Sequence, residues 1–190
     1  GLDLSEILSQ DFSSHSITMF IYTTIMAPIT EEIIFRGAGL RALEKHGKVF
    51  AIVMTALLFG LFHENLYQLY FAAMIGLGFG YIAFEYSIFW VIFFHIFNNL
   101  VIAEGLDFLT NYIPESIVNL INYGLMTAGT TVVLIVLILN RSKIKAYIAE
   151  NGSQPGIYKQ ALKSVWFWVF SILCVLAAFL PILLVYITTR

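Results

Sequence analysis

Seven side chains have the types and spacing from which chemistry can be built: Glu31, Glu32 and Arg36 in one stretch, Phe59 and His63 in a second, His95 and Asn99 in a third. Each stretch is otherwise apolar. Carboxylates, imidazoles and an amide gathered in a dry pocket can do acid–base work on a bond, hold a metal ion or relay protons. An ionised group near a bilayer centre costs at least roughly 2.5–3.5 kcal/mol on insertion scales, so three ionisable groups within six residues need partners and a reason to stay. At helical spacing Glu32 and Arg36 share a face and can pair, whereas Glu31 is rotated by about 100° and is left for other work. A buried ion pair with a polar neighbour is the plain alternative. A lone histidine in an apolar helix is, likewise, more often a hydrogen-bonded core group than a catalyst. Glu, His, His and Asn on three helices are harder to explain except as one shared polar pocket, because each left unpaired would cost several kcal/mol. His95 and Asn99 are four apart on one face; Asn98 is nearly as well placed, and spacing does not choose between the two asparagines.

The elements that must position these groups are membrane helices. Of 190 residues 59% are hydrophobic, 16% aromatic and only 12% charged, with a mean hydropathy of +0.86. So few charges cannot cover the surface of a soluble domain, and the composition predicts an all-α, polytopic membrane helix bundle. The net charge of −2 argues against nucleic acid as a partner. The single cysteine, Cys174, excludes an internal disulfide. The chain opens on Gly1 with no basic n-region and cleavage site behind it, which reads as a piece of a longer protein.

In order, Leu2–Phe12 is too short and too charged to span and reads as an interfacial lead-in. The first span runs from about Ile17 to Arg36, with Pro28 either kinking it by freeing the Thr24 carbonyl or starting a new helix. Gly37–Lys48 reads as a basic connection. Val49–His63, Leu66–Phe84 and Ser87–Ala103 are the next spans, Glu104–Glu115 an acidic loop, Ser116–Leu139 the fifth span, Asn140–Lys163 a basic loop and Ser164–Ile187 the sixth span. The second span is short for a bilayer of about 30 Å and suits a bundle interior. In the third, Ala72, Gly76 and Gly80, with Gly78, read as a small-residue surface for close helix packing. At about 1.5 Å per residue the polar positions reach similar depth only if the first helix continues toward Arg41, and we expect that it does. Four spans separate the two basic loops, so both can lie in the cytoplasm with Leu2–Phe12 and Glu104–Glu115 outside. No internal repeat is visible, and residues 1–190 read as a single domain.

Glu31-Glu32-x-x-x-Arg36, Phe59-x-x-x-His63 and His95-x-x-x-Asn99, in that order on successive apolar segments, resemble the CAAX protease and bacteriocin-processing family of intramembrane endopeptidases. The matching core covers about Ala27 to Leu100, and the last ninety residues carry no motif of that family. The resemblance implies that Glu31 and His63 activate a water while His95 and Asn99 hold the oxyanion, with Glu32, Arg36 and Phe59 in support. Physical chemistry is consistent with those roles: a carboxylate stripped of water is a stronger base and then a proton donor to the leaving amine, and fixed N–H groups stabilise charge on the scissile carbonyl. It also implies a membrane-associated or lipidated protein or peptide as substrate, no cofactor, and a multi-pass protein of a bacterial plasma membrane.

Three other readings use the same residues. Zinc held by Glu31, His63 and His95 would have an open fourth position, although His63-Glu64-Asn65-Leu66-Tyr67 is not HExxH. A proton-coupled transporter would use Glu and His as a relay and predicts an inverted repeat. A bacteriocin self-immunity protein acting by binding alone would keep its function when Glu31 is replaced. His15 and His46 receive no role.

Overall fold

The computed structural model describes residues 17–64 and 66–188. Eight helices follow one another, with no strand among the described residues: α1 (Ile17–His46), α2 (Lys48–Phe62), α3 (Leu66–Glu85), α4 (Ile88–Leu109), α5 (Glu115–Leu139), α6 (Arg141–Glu150), α7 (Ile157–Leu162) and α8 (Val165–Thr188). The protein is a polytopic helical membrane bundle. The six expected spans fall on α1 to α5 and α8. Helices α1, α4 and α5 are long and apolar enough to cross a bilayer, while the apolar runs Lys48–Phe62 and Val165–Leu180 are shorter. Leu2–Phe12 and His15 lie outside the described residues.

Three connections are more helical than their composition predicts. Helix α1 does continue past Arg41, so Gly37–Lys48 shrinks to a corner at Gly47. Leu40 is fully buried there and Leu43 packs beside Phe50, while Arg41 pairs with Glu44 at 3.3 Å. The basic stretch is thus the polar face of an amphipathic last turn. Within the expected acidic loop, Gly105–Leu109 remains helical. The expected loop Asn140–Lys163 contains α6 and α7, because Ile144 and Tyr147 recur at helical spacing among good helix formers and are partly buried.

The described chain forms two compact units, residues 17–32 with 89–145 and residues 33–88 with 146–188. In the first, the start of α1 packs against α4, and both helices carry a π-helical segment, Tyr22–Met26 and Asn98–Glu104. Helix α5 is apolar along its length and buries only Val118, the exposure expected of a helix that lipid solvates.

The second unit is organised around α2. Its buried residues include Phe50, Ala51, Met54, Thr55, Ala56 and Phe59, as its shortness predicts. Helix α3 approaches along the small-residue surface: a Cβ on Gly76 would lie 3.0 Å from Ala56 Cα, and one on Gly80 3.1 Å from Ile52 Cγ2. Gly78 does not belong to this surface, since it has open space around it; one residue's rotation from the stripe at Gly76 and Gly80 turns it away. Gly60 on α2, absent from the sequence reading, makes the tightest approach, with an added Cβ 2.5 Å from Leu69 O. Helices α7 and α8 complete the core through Ile157 and Phe167 against Phe50 and Met54.

The α1–α2 corner is closed from outside. Gly47 has φ +111°, and a Cβ there would meet Gly152 O at 2.5 Å, so two glycines let the chains cross. Val49 N–H donates to Asn151 O and Gln154 N–H to His46 O. The Gln154 side chain donates to Lys45 O at 3.1 Å. Beside this, Glu85 accepts from Lys48 Nζ at 3.0 Å and from Tyr147 Oη at 2.9 Å. The Lys48 bond, with the Tyr147 bond, holds the Glu85 carboxyl below its usual range. Burial, and then the bond to Glu85, push the Tyr147 phenol up.

Candidate active site

Three of the four principal candidates lie in the first unit. Glu31 and Glu32 end the α-helical stretch Ala27–Glu32 of α1, and His95 stands on α4. Glu32 and His95 are buried, at 0% and 6% exposure. His95 Nδ1 lies 2.8 Å from Glu32 Oε1 and its Nε2 lies 3.8 Å from Glu31 Oε2. Adjacent carboxylates diverge by about 100° on a helix, yet an imidazole carries a nitrogen on each side and so faces both. The direct bond to Glu32 fixes the ring, and the wider gap beside Glu31 leaves Nε2 and Oε2 as two polar atoms set around one position. The spacing of Glu32 and Arg36 drew attention to a pair within the helix; the bond from Glu32 to His95 was missed, although a neutralising partner for a second intramembrane carboxylate was the available signal.

Asn99 is held by the irregularity at Pro28. In the π-helical turn before it, Ala27 N–H donates to Tyr22 O, five residues back. The next donor in that register belongs to residue 28, and proline has none. The carbonyl freed is therefore that of Thr23, not Thr24 as α-helical spacing predicts, and Asn99 Nδ2 donates to it at 2.9 Å. Asn98 Nδ2 donates to Asn99 Oδ1 at 3.3 Å. The structure thus separates the asparagines: Asn99 meets α1 directly, and Asn98 supports its amide.

His63 lies in the second unit, at the C-terminal end of α2, where Glu64 turns the chain away at φ +50°. Its Nδ1–H donates to Phe59 O at 2.8 Å, a bond that fixes the tautomer with Nε2 as the acceptor. Its ring also meets the Phe59 ring edge-on at 4.7 Å. The four-residue spacing of Phe59 and His63 therefore has a plain cause, one turn of helix bringing ring onto ring and imidazole onto carbonyl. Phe59 is buried, packs against Phe35 and presents its face to Arg36, whose Cζ lies 4.2 Å from the ring centroid. Arg36 also donates to Gly76 O at 3.5 Å.

Among the described residues no three His, Cys, Asp or Glu side chains are gathered as ligands of one metal ion. A cleft of about 370 Å³ in the second unit, lined by Leu43, Phe50, Met54 and Phe167, touches none of the candidates.

Residues 13–101 match a family described as type II CAAX prenyl endopeptidase, Rce1-like. Over 100 residues the chain is 34% identical to the "Putative membrane peptidase YdiL" of Bacillus subtilis (strain 168), a match that covers 51% of this chain and 41% of that protein. The chain thus spans about two fifths of the length of this curated relative. No solved structure matches it. The recognisable part of this chain, residues 13–101, is of the Rce1-like, type II CAAX prenyl endopeptidase family, and Glu31, His63, His95 and Asn99 all lie within it.

Proposed function

We propose that the protein is a membrane endopeptidase that hydrolyses a peptide bond of a membrane-associated or lipidated protein, with Glu31 as the base. The observation that carries this reading is His95, fixed by Glu32 at 2.8 Å and set 3.8 Å from Glu31. A water at ordinary hydrogen-bond distance, about 2.8 Å, from both Glu31 Oε2 and His95 Nε2 closes a triangle with those two atoms. Glu31 takes its proton as the oxygen attacks the scissile carbonyl carbon. Charge then develops on the carbonyl oxygen, where His95 Nε2–H and the second N–H of the Asn99 amide are the donors. With one proton shared between His95 Nδ1 and Glu32, Nε2 can carry another and act as that donor. Glu31 next gives its proton to the leaving nitrogen, the carbon–nitrogen bond breaks, and the carboxyl product and amine are released.

His63 enters from the family resemblance, sharing the water's proton; its fixed tautomer, with Nε2 as acceptor, supports that role. The family description and the name of the Bacillus relative support a peptidase, and a bacterial plasma membrane is the setting this reading assumes. No step is routed through zinc. Comparative proteomics of membranes from cells carrying wild type or Glu31→Gln tests the proposal. Peptides shortened only with wild type are expected; identical peptide lengths would refute it.

A further inference from the structure

Glu104 lies outside the three motifs, yet the structure ties it to the site. We propose that Glu104, acting through Thr23, is a positioning residue for Asn99; this rests on the reading of Asn99 as an oxyanion donor. Thr23 is gripped twice by α4. Its carbonyl accepts from Asn99 Nδ2 at 2.9 Å, and its Oγ1 lies 3.0 Å from Glu104 Oε1. Asn99 and Glu104 are five residues apart, and on an α-helix they would point about 140° away from each other. The π-helical segment Asn98–Glu104 closes its turns at five residues and brings both onto the face toward Thr23. On the opposing helix, the π turn Tyr22–Met26 and the missing donor of Pro28 deliver the carbonyl that Asn99 takes. Two irregular turns therefore meet at one threonine.

The geometry divides the work. The carbonyl of Thr23 uses one N–H of the Asn99 amide and orients the plane that carries the other. The hydroxyl of Thr23 is 2.9 Å from Met19 O and 3.3 Å from Phe20 O, bonds that α1 makes with itself. Glu104 is the group that ties this hydroxyl to α4. Without it, Asn99 holds the carbonyl by a single contact and the amide plane can rotate about it. A Gln at 104 keeps the tie, since its amide can donate to Thr23 Oγ1 while the hydroxyl donates to Met19 O.

Two measurements on the full chain in lipid nanodiscs test this. The first is cleavage of a quenched-fluorescent, farnesylated C-terminal peptide. Glu104→Ala is expected to lower kcat on the order of tenfold to a hundredfold with KM unchanged, as a misplaced group does. Glu104→Gln is expected to return kcat to within about threefold of wild type, and Glu104→Ala combined with Asn99→Ala to be no slower than Asn99→Ala alone. Wild-type kcat in Glu104→Ala, or full additivity in the double variant, would overturn the proposal. The second measurement is the side-chain amide resonance of Asn99 in protein labelled with 15N-asparagine, assigned by its loss in Asn99→Ala. It is expected to shift in Glu104→Ala and return in Glu104→Gln; an unmoved resonance also overturns the proposal. A resonance that shifts in a protein whose wild type leaves the peptide uncut would support the positioning contact and count against the peptidase reading.

Discussion

Replacing Gly60 by alanine puts a methyl group where α2 and α3 are closest. The added Cβ would stand 2.5 Å from Leu69 O and 2.8 Å from Ala73 Cβ. A carbon and an oxygen in van der Waals contact sit at about 3.3 Å and two carbons at about 3.5–4.0 Å, so the helices must part by most of an ångström. Leu69 O belongs to backbone and cannot swing aside. A gap of 0.5–1 Å forfeits roughly a quarter to a half of each dispersion contact along the seam, and overpacking of this kind typically destabilises by about 1–3 kcal/mol. Gly78→Ala is the control on α3, because nothing lies within 4 Å of its added Cβ and alanine is the better helix former. Thermal unfolding of the purified protein in one detergent, followed by circular dichroism, makes the comparison. Gly60→Ala should unfold several degrees below wild type, and Gly78→Ala at or above it. Equal midpoints for the two variants would refute the close approach and the role given to Gly60.

Activity should survive exhaustive chelation; one equivalent of zinc per chain, with activity lost on stripping and restored by zinc, would instead make Glu31, His63 and His95 candidate ligands. With Lys145→Cys and Asp107→Cys probed separately by an impermeant thiol reagent in cells, only Asp107→Cys should react, and the reverse pattern would invert the topology drawn from the basic loops. Phe59→Leu should lower the unfolding midpoint by an amount equivalent to about 1–3 kcal/mol, because the buried face under Arg36 and the edge contact to His63 are lost together.

Much of the fold could be read from composition because a bilayer demands continuous apolar runs, and all six runs became helices. The shortness of the second run foretold its burial, and Ala72, Gly76 and Gly80 foretold where α3 packs. The basic stretch after Gly37 misled, since Arg41 and Lys45 read as a connection while Leu40 and Leu43 were already spaced to bury. The candidate residues were legible as three polar interruptions of apolar helices. Their partners were not. The π-helical turns at Tyr22–Met26 and Asn98–Glu104 have no compositional signature, and they decide that Thr23 offers its carbonyl and that Asn99 takes it. Glu32 and His95 are sixty-three residues apart in sequence, and only tertiary packing joins them.

The corner at Gly47 sets a schedule for the ribosome. Lys45, His46 and Val49 leave it early, whereas the partners of their backbone groups, Asn151 and Gln154, follow about a hundred residues later. At roughly 5–20 residues per second that separation lasts about 5–20 seconds. During this interval α1 and α2 can enter the bilayer, but the turn between them has only water or lipid headgroups to satisfy it. The family match ends at residue 101, well before the chain that closes this corner. A fragment cut to that match would keep every motif residue and remain permanently at the stage a nascent chain passes through.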